Sequence, residues 1–233
     1  MPTDKTGSRF HRAPDLRDYR AVIFDVDGTL IDSMYVWEKI NREYLAGFGV
    51  DCPEGLAREM ENITFRAAAD YFIDRFHIPD PPDKIIADWV EMARIRYAER
   101  LCLKPGAAEI LFWLKNTKIP AAIASANNRR LIDSMLEARG FADAVSAVVS
   151  CDDVGVNKPA PDVYLEAARR LGVEPRDCLV FEDVLPGIRS GLSAGMTVCA
   201  VEDRYSAPTR EEKAALAHYY ITDFRECPPL KVL

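Results

Sequence analysis

The chain has 233 residues, 48% of them apolar and 29% charged, with a formal net charge of -7. That length suffices for one substantial core, or for one core carrying a smaller domain, and the composition is globular rather than disordered. An acidic chain without a long Lys/Arg run disfavours nucleic acid and anionic membrane surfaces as partners, and no stretch approaches the roughly 20 consecutive apolar residues a membrane span needs.

In chain order, residues 1–18 read as a polar arm. The first twenty residues hold five Lys/Arg and three Asp around no apolar centre, which argues against a secretory signal; the acidic residues also disfavour an organellar transit peptide. The first apolar run, "AVIFDV" at 21–26, is followed by others at 120–125, 144–150, 178–183, 197–201 and 219–222. Helical stretches lie between them. Asn127 or Asn128 can cap one whose Leu131, Met135 and Leu136 form a stripe and which Gly140 can end; Pro161 and Asp162 open another, closed by Gly172. Short buried runs alternating with helices specify a parallel sheet covered on both faces, an α/β fold.

Residues 33–102 break this rhythm with a purely helical pattern. Trp37, Ile40, Tyr44 and Leu45, then Phe65, Ala68, Ala69 and Phe72, then Ile85, Ile86, Trp89, Met92 and Ala93 recur at helical spacing, with a proline-rich turn at 77–82. An all-helical insertion is expected there. Six cysteines (Cys52, Cys102, Cys151, Cys178, Cys199, Cys227) form no CxxC pair, so neither a zinc site nor a redox motif is indicated. Buried, reduced thiols and a cytoplasmic location are expected instead.

Asp25 and Asp27 stand two residues apart at the end of the first run and would project to one side of a strand. Two such carboxylates repel unless a cation lies between them or one keeps a proton. Alone, "DVDG" is as readily a solvated turn. Other segment ends add to the pair, because ligands of open parallel sheets bind beyond the carboxyl ends of the strands. There the chain places Ser125, Lys158 in the loop "NKPAPD", and the adjacent acids Glu182 and Asp183. Ser125 alone is more often a helix cap and Lys158 alone a solvated lysine, but carboxylates ending a buried strand need a cation.

"FDVDGTL", the strand-end Ser125, Lys158 in "KPAPD" and "FEDVLPGIRSGLSAGM" resemble, in order and spacing, the four signatures of the haloacid dehalogenase-like hydrolase superfamily. "KPAPDVYLEAARRLGVEPRDCLVFED" is especially similar to its beta-phosphoglucomutase-like branch, and the resemblance spans about residues 20–224. It implies a Rossmann-like parallel-sheet core over 19–32 and 103–233, with 33–102 as a helical cap hinged near Asp32–Ser33 and Leu103–Pro105. It also implies roles. Asp25 would be the nucleophile that forms an aspartyl-phosphate and Asp27 the acid and then the base; Ser125, Ala126 and Lys158 would hold the phosphoryl group. Asp25, the main-chain carbonyl of Asp27, Glu182 and Asp183 would hold Mg2+, and an oxygen-only ligand set suits Mg2+ rather than zinc.

The reaction is narrowed by departures from that pattern. Trp37 stands where the mutases carry a cap histidine, and Phe65 where they carry a phosphate-gripping arginine, with Arg66 one residue off. Trp37 and Phe65 each fit a helix stripe, which favours packing over substrate contact. Asp27 argues for a phosphate ester rather than a haloacid, and Lys39 is left as the cap lysine for Schiff-base chemistry. Asn127 is open between bonding a substrate hydroxyl and capping a helix. The expected protein is a Mg2+-dependent phosphatase of a small phosphorylated metabolite, a monomer or weak dimer. The alternatives are a sugar-phosphate mutase and a phosphate-binding regulatory module without turnover, the latter disfavoured by the presence of both Asp25 and Asp27.

Overall fold

The computed structural model describes residues 13–60, 63–100 and 103–230. The chain enters through β1 (Ala21–Phe24) and leaves the sheet for four helices, α1 (Met34–Ala46), α2 (Leu56–Glu59), α3 (Phe65–Phe76) and α4 (Pro82–Arg100). It returns through α5 (Ala107–Lys115) to β2 (Ala121–Ser125), then runs α6 (Arg129–Ala138), β3 (Ala147–Ser150), α7 (Cys151–Val154), α8 (Asp162–Leu171), β4 (Cys178–Glu182), α9 (Leu185–Ser193), β5 (Thr197–Val201), α10 (Arg210–Leu216) and β6 (Tyr219–Ile221). All strand pairings are parallel, in the order β3-β2-β1-β4-β5-β6. The chain builds outward from β1 in one direction and then restarts at β4 in the other, so the switch point lies between the ends of β1 and β4.

Every residue of β1, β2 and β4 is buried, as their unbroken apolar runs require. Alternate side chains feed two cores. Val22, Phe24, Ile123, Leu179 and Phe181 enter one, and Ala21, Ile23, Ala122, Ala124 and Val180 the other. In the first, the Phe24 and Phe181 rings stack at 5.3 Å and Phe224 meets them edge-on at 6.0 and 5.1 Å. The α/β fold with a helical insertion, read from the sequence, is the one observed.

Local signals act largely as read. Asn128 caps α6 by accepting from the Arg130 N–H at 3.0 Å, and Gly172 ends α8 at φ +67°. The run expected at 144–150 is extended only from Ala147, because Ala142–Ala144 form a 3-10 turn. Of the arm expected over 1–18, residues 1–12 lie outside the described residues; Leu16 is fully buried, and its N–H bonds the Pro228 carbonyl at 3.2 Å. Cys102 also lies outside them, and the other five cysteines are reduced, four of them buried. Among the described residues no helix is long and apolar enough to cross a membrane.

The two crossings between sheet and insertion run side by side. Ile31 pairs antiparallel with Leu103, and the Lys104 N–H bonds the Leu30 carbonyl at 2.8 Å. Removing the edge-on ring of the aromatic cluster, Phe224→Ala, is expected to cost about 3–5 kcal/mol, read as a lowered urea midpoint. A midpoint unchanged by the substitution would show that the ring does not brace the β1–β4 pair.

Candidate active site

Beyond β1 and β4 the pairing continues for one bond: the Asp25 N–H reaches the Phe181 carbonyl at 3.0 Å. The chain must then turn tightly beneath Asp183. Gly28 does so at φ +80°, and a Cβ there would lie 2.2 Å from Asp183 Oδ2, so both conformation and space demand glycine.

Lys158, from the loop between α7 and α8, is 7% exposed. Its ammonium donates to Asp25 Oδ1 at 2.7 Å, Glu182 Oε1 at 2.6 Å and the Ala124 carbonyl at 3.0 Å, which uses all three of its protons. Glu182 is fully buried. Its Oε1 also accepts from the Tyr164 hydroxyl at 2.8 Å, and its Oε2 from the main-chain N–H groups of Asp183 at 3.1 Å and Val184 at 3.5 Å. Gly187, in the first turn of α9, leaves the room this needs, since a Cβ there would stand 1.8 Å from Glu182 Oε1.

Asp183 is also fully buried, with Oδ1 accepting from the Thr29 hydroxyl at 3.0 Å. Its Oδ2 is buried without a hydrogen-bond partner. Behind it, the fully buried Lys213 donates to the Asp183 carbonyl at 2.8 Å and to Ser206 Oγ at 2.7 Å, tying the end of β4 to α10.

Asp25, Glu182 and Asp183 each present an oxygen within 4.8 Å of the others. Three carboxylates thus face the Lys158 ammonium, with Lys213 as a second cation behind Asp183, and their full ionisation would leave the largely buried cluster net negative. Burial pushes Asp25 up to about 7, against the opposing pull of Lys158 and with a further push from Glu182. Burial also holds Asp183 well above the usual carboxylate range, with Glu182 and Asp25 adding to it. For Lys158, burial works against the ammonium, but Asp25 and Glu182 outweigh it and the pKa rises. An orphaned buried carboxylate oxygen in an oxygen-only cluster short of positive charge fits a divalent cation.

Asp27 faces the insertion. Its Oδ1 accepts from Ser33 Oγ at 2.5 Å and from the Tyr97 hydroxyl at 2.6 Å, and its Oδ2 from Asn127 Nδ2 at 2.6 Å. Asn127 therefore contacts the aspartate, while capping falls to Asn128. Ser125 is buried at the end of β2, its Oγ accepting the Asn127 N–H at 3.1 Å, with Ala126 beside it.

A cavity opens between this edge and the insertion, lined by Asp25, Asp27, Ser125, Ala126, Asn127, Lys158 and Glu182 on one side. Met34, Trp37, Asn41, Met60, Phe65, Phe72 and Trp89 line the other. Trp37 and Phe65, expected to pack rather than to face substrate, pack edge-on with rings at 5.5 Å, and the same rings form part of the cavity wall. Arg66 is not brought to the cavity. It starts α3 on the outer face, where its guanidinium pairs with Asp83 at 3.2 Å and Asp70 at 3.4 Å. Lys39 is exposed, 5.4 Å over the Tyr35 ring and absent from the wall, which leaves the Schiff-base reading without its amine.

Tyr97 and Tyr164 escaped the sequence reading. Both extend helix stripes, Tyr97 one turn beyond Ala93, and periodicity cannot tell a core tyrosine from one whose hydroxyl serves a carboxylate. The usable signal is that a buried tyrosine hydroxyl needs a partner.

The family profile described as "haloacid dehalogenase-like hydrolase" matches residues 19–195. The chain belongs to this family of hydrolases. Among its relatives, the bifunctional riboflavin kinase/FMN phosphatase of Arabidopsis thaliana is 33% identical over 77% of this chain, which spans only 48% of that protein's length. Protein CbbY of Rhodobacter capsulatus is 30% identical over 88% of this chain and 94% of its own. The fold is also similar to a crystal structure of a CbbY mutant from Rhodobacter sphaeroides in complex with xylulose-(1,5)bisphosphate, with a TM-score of 0.78, 26% identity, and coverage of 88% of this chain and 95% of that one.

Folded Asp25 keeps its proton up to about pH 7, whereas an ordinary carboxyl releases it near 3.8. The folded state therefore binds more protons than the unfolded one across that window, and this group's contribution to stability falls as pH rises from about 4 to about 7. In EDTA, Tm is expected to drop more steeply over that range for the parent protein than for Asp25→Asn. Equal slopes would remove Asp25 as a source of the drop. A second expectation concerns Tyr97→Phe, which keeps the ring but deletes a bond to a carboxylate and should cost about 1.5–3 kcal/mol in urea unfolding; no loss would mean that solvent replaces the hydroxyl freely.

Proposed function

We propose that this chain is a Mg2+-dependent phosphatase that hydrolyses a small phosphorylated metabolite through an aspartyl-phosphate. The observation that carries this reading is the buried, unpartnered Asp183 Oδ2 beside Asp25 and Glu182, opposite a lysine at the mouth of a cavity. Phosphatase activity in the named Arabidopsis relative supports it. In this reading residues 19–32 and 103–233 form the catalytic core and 33–102 the cap.

Asp25 and Asp183, with the main-chain carbonyl of Asp27, would hold the cation. Both oxygens of Glu182 already accept two hydrogen bonds each, so its part is to supply charge and to aim Lys158 rather than to coordinate directly. When bound, Mg2+ supplies a Lewis acid that neutralises charge on the phosphoryl group.

The chain's own residues account for the rest. An Asp25 oxygen attacks phosphorus, forming an O–P bond as the bond to the leaving alcohol breaks, and Asp27 gives that alcohol its proton. Water then attacks phosphorus; Asp27 takes the proton back and the Asp25–phosphorus bond breaks, releasing phosphate. Lys158, already fixed by three acceptors, offsets the repulsion between the carboxylate and a dianionic ester, and Ser125 and the Ala126 main chain hold the remaining oxygens. Ser33, Tyr97 and Asn127 hold Asp27 from hinge, cap and core.

Asp25→Asn should reduce phosphate release from a generic ester on the order of 10³-fold or more; an active variant would overturn the assignment. Mg2+ should raise Tm, adding about 2.7 kcal/mol of stability at 100 times its dissociation constant, and Asp183→Asn should abolish that rise. A Tm insensitive to Mg2+ in the parent protein would mean that the cluster does not hold the ion.

A further inference from the structure

Opposite the carboxylates, the cavity wall supplied by the insertion is aromatic and aliphatic: Met34, Trp37, Phe65, Phe72 and Trp89 form most of it. The rings brace one another, with Trp89 4.8 Å from Phe72 and 6.5 Å from Phe65. One polar side chain interrupts them. Asn41 lies on α1 four residues after Trp37, hence on the same face, and is 7% exposed. Its amide has no protein hydrogen-bond partner among the described residues and is reachable from the cavity, so it is free to bond a ligand there. The Trp89 indole N–H, from the same wall, is buried without an acceptor.

Resting on the phosphatase reading above, we infer that the wall selects phosphomonoesters whose alcohol carries a flat, largely apolar ring with one hydrogen-bond acceptor, such as a ring nitrogen or carbonyl, and that Asn41 is the residue that reads this acceptor. Four considerations lead there. A hydroxyl-rich polyol would lose its hydration against an aromatic wall and recover at most one or two bonds. A flat ring would instead gain stacking and edge contacts with Trp37 and Phe65. An acceptor on that ring satisfies Asn41, and a site built around a polar group rejects the analogue that leaves the group unpaired. Finally, no lysine or arginine of the insertion lines the cavity among the described residues, so a second phosphate, as on the xylulose-(1,5)bisphosphate of the CbbY complex, would face apolar atoms.

Three esters with similar alkoxide leaving groups separate these ideas: 4-pyridylmethyl phosphate, benzyl phosphate and sorbitol 6-phosphate. With Mg2+, kcat/KM for the two ring esters should exceed that for the sorbitol ester at least about 10-fold, carried mainly by KM. The pyridyl ester should lead the benzyl ester by about 10-fold, and Asn41→Leu should bring that ratio close to one. Phosphate release from all three with the sorbitol ester preferred would overturn the inference and leave the phosphatase reading standing. A pyridyl-to-benzyl ratio that survives Asn41→Leu would overturn the role given to Asn41.

Absence of release from any ester would instead count against the phosphatase reading. Binding then decides the inference separately, because Trp37 and Trp89 report occupancy by fluorescence. With Asp25→Asn protein, so that nothing turns over, the ring esters should quench tryptophan emission at about 10-fold lower concentration than the sorbitol ester. Equal or weaker binding of the ring esters would refute the selection proposed.

Discussion

The arrangement at the strand ends depends on an imbalance of charge in a dry place. Lys158 pairs with Asp25 and Glu182 and Lys213 stands behind Asp183, so three largely buried carboxylates share two ammonium groups. Everything nearby manages the remainder. Main-chain N–H groups and Tyr164 converge on Glu182, Thr29 supports one oxygen of Asp183, and Lys213 fixes the carbonyl behind it. What protein donors do not supply is a partner for Asp183 Oδ2, and a cation meets that need with the least rearrangement. Breaking such a cluster at one member is costly because it strands the rest, and this ties folding to the residues of the candidate site.

Much of this was legible in the chain because the fold uses short, fully buried strands. A strand that is apolar to its last residues and then acidic has few reasons to end so, and two such endings, at β1 and β4, joined on one edge by Ser125 and Lys158, point to a single site. The α/β class, the helical insertion and the meeting of Asp25, Lys158, Glu182 and Asp183 follow from these patterns. Legibility stopped where helices supply the partner. Tyr97, Tyr164 and Asn41 each occupy a position that helical periodicity assigns to packing, and only the third dimension shows which of them meets a carboxylate and which an apolar chamber. Arg66 shows the converse. One residue along a helix rotates a side chain by about 100°, enough to carry the guanidinium from the cavity to solvent.

Core and insertion are coupled at Asp27. The donors that hold it come from the first crossing, from α4 and from the loop after β2, so its position reports whether these three parts are together. A cap that also builds the far wall thus controls two properties at once. It shapes the chamber, and it helps fix where the second aspartate points.

The adjacency of the two crossings has a wider consequence. Because Ile31 and Leu103 pair, and Lys104 bonds Leu30, the whole insertion is topologically a loop whose ends touch, hung beyond the carboxyl end of the central strand β1 of an otherwise complete sheet. A loop closed at its base can be lengthened, trimmed or replaced with little strain on the strands beneath it. The insertion is therefore separable from the sheet in construction: changes within it can reshape the far wall of the cavity while the charged cluster at the strand ends stays in place.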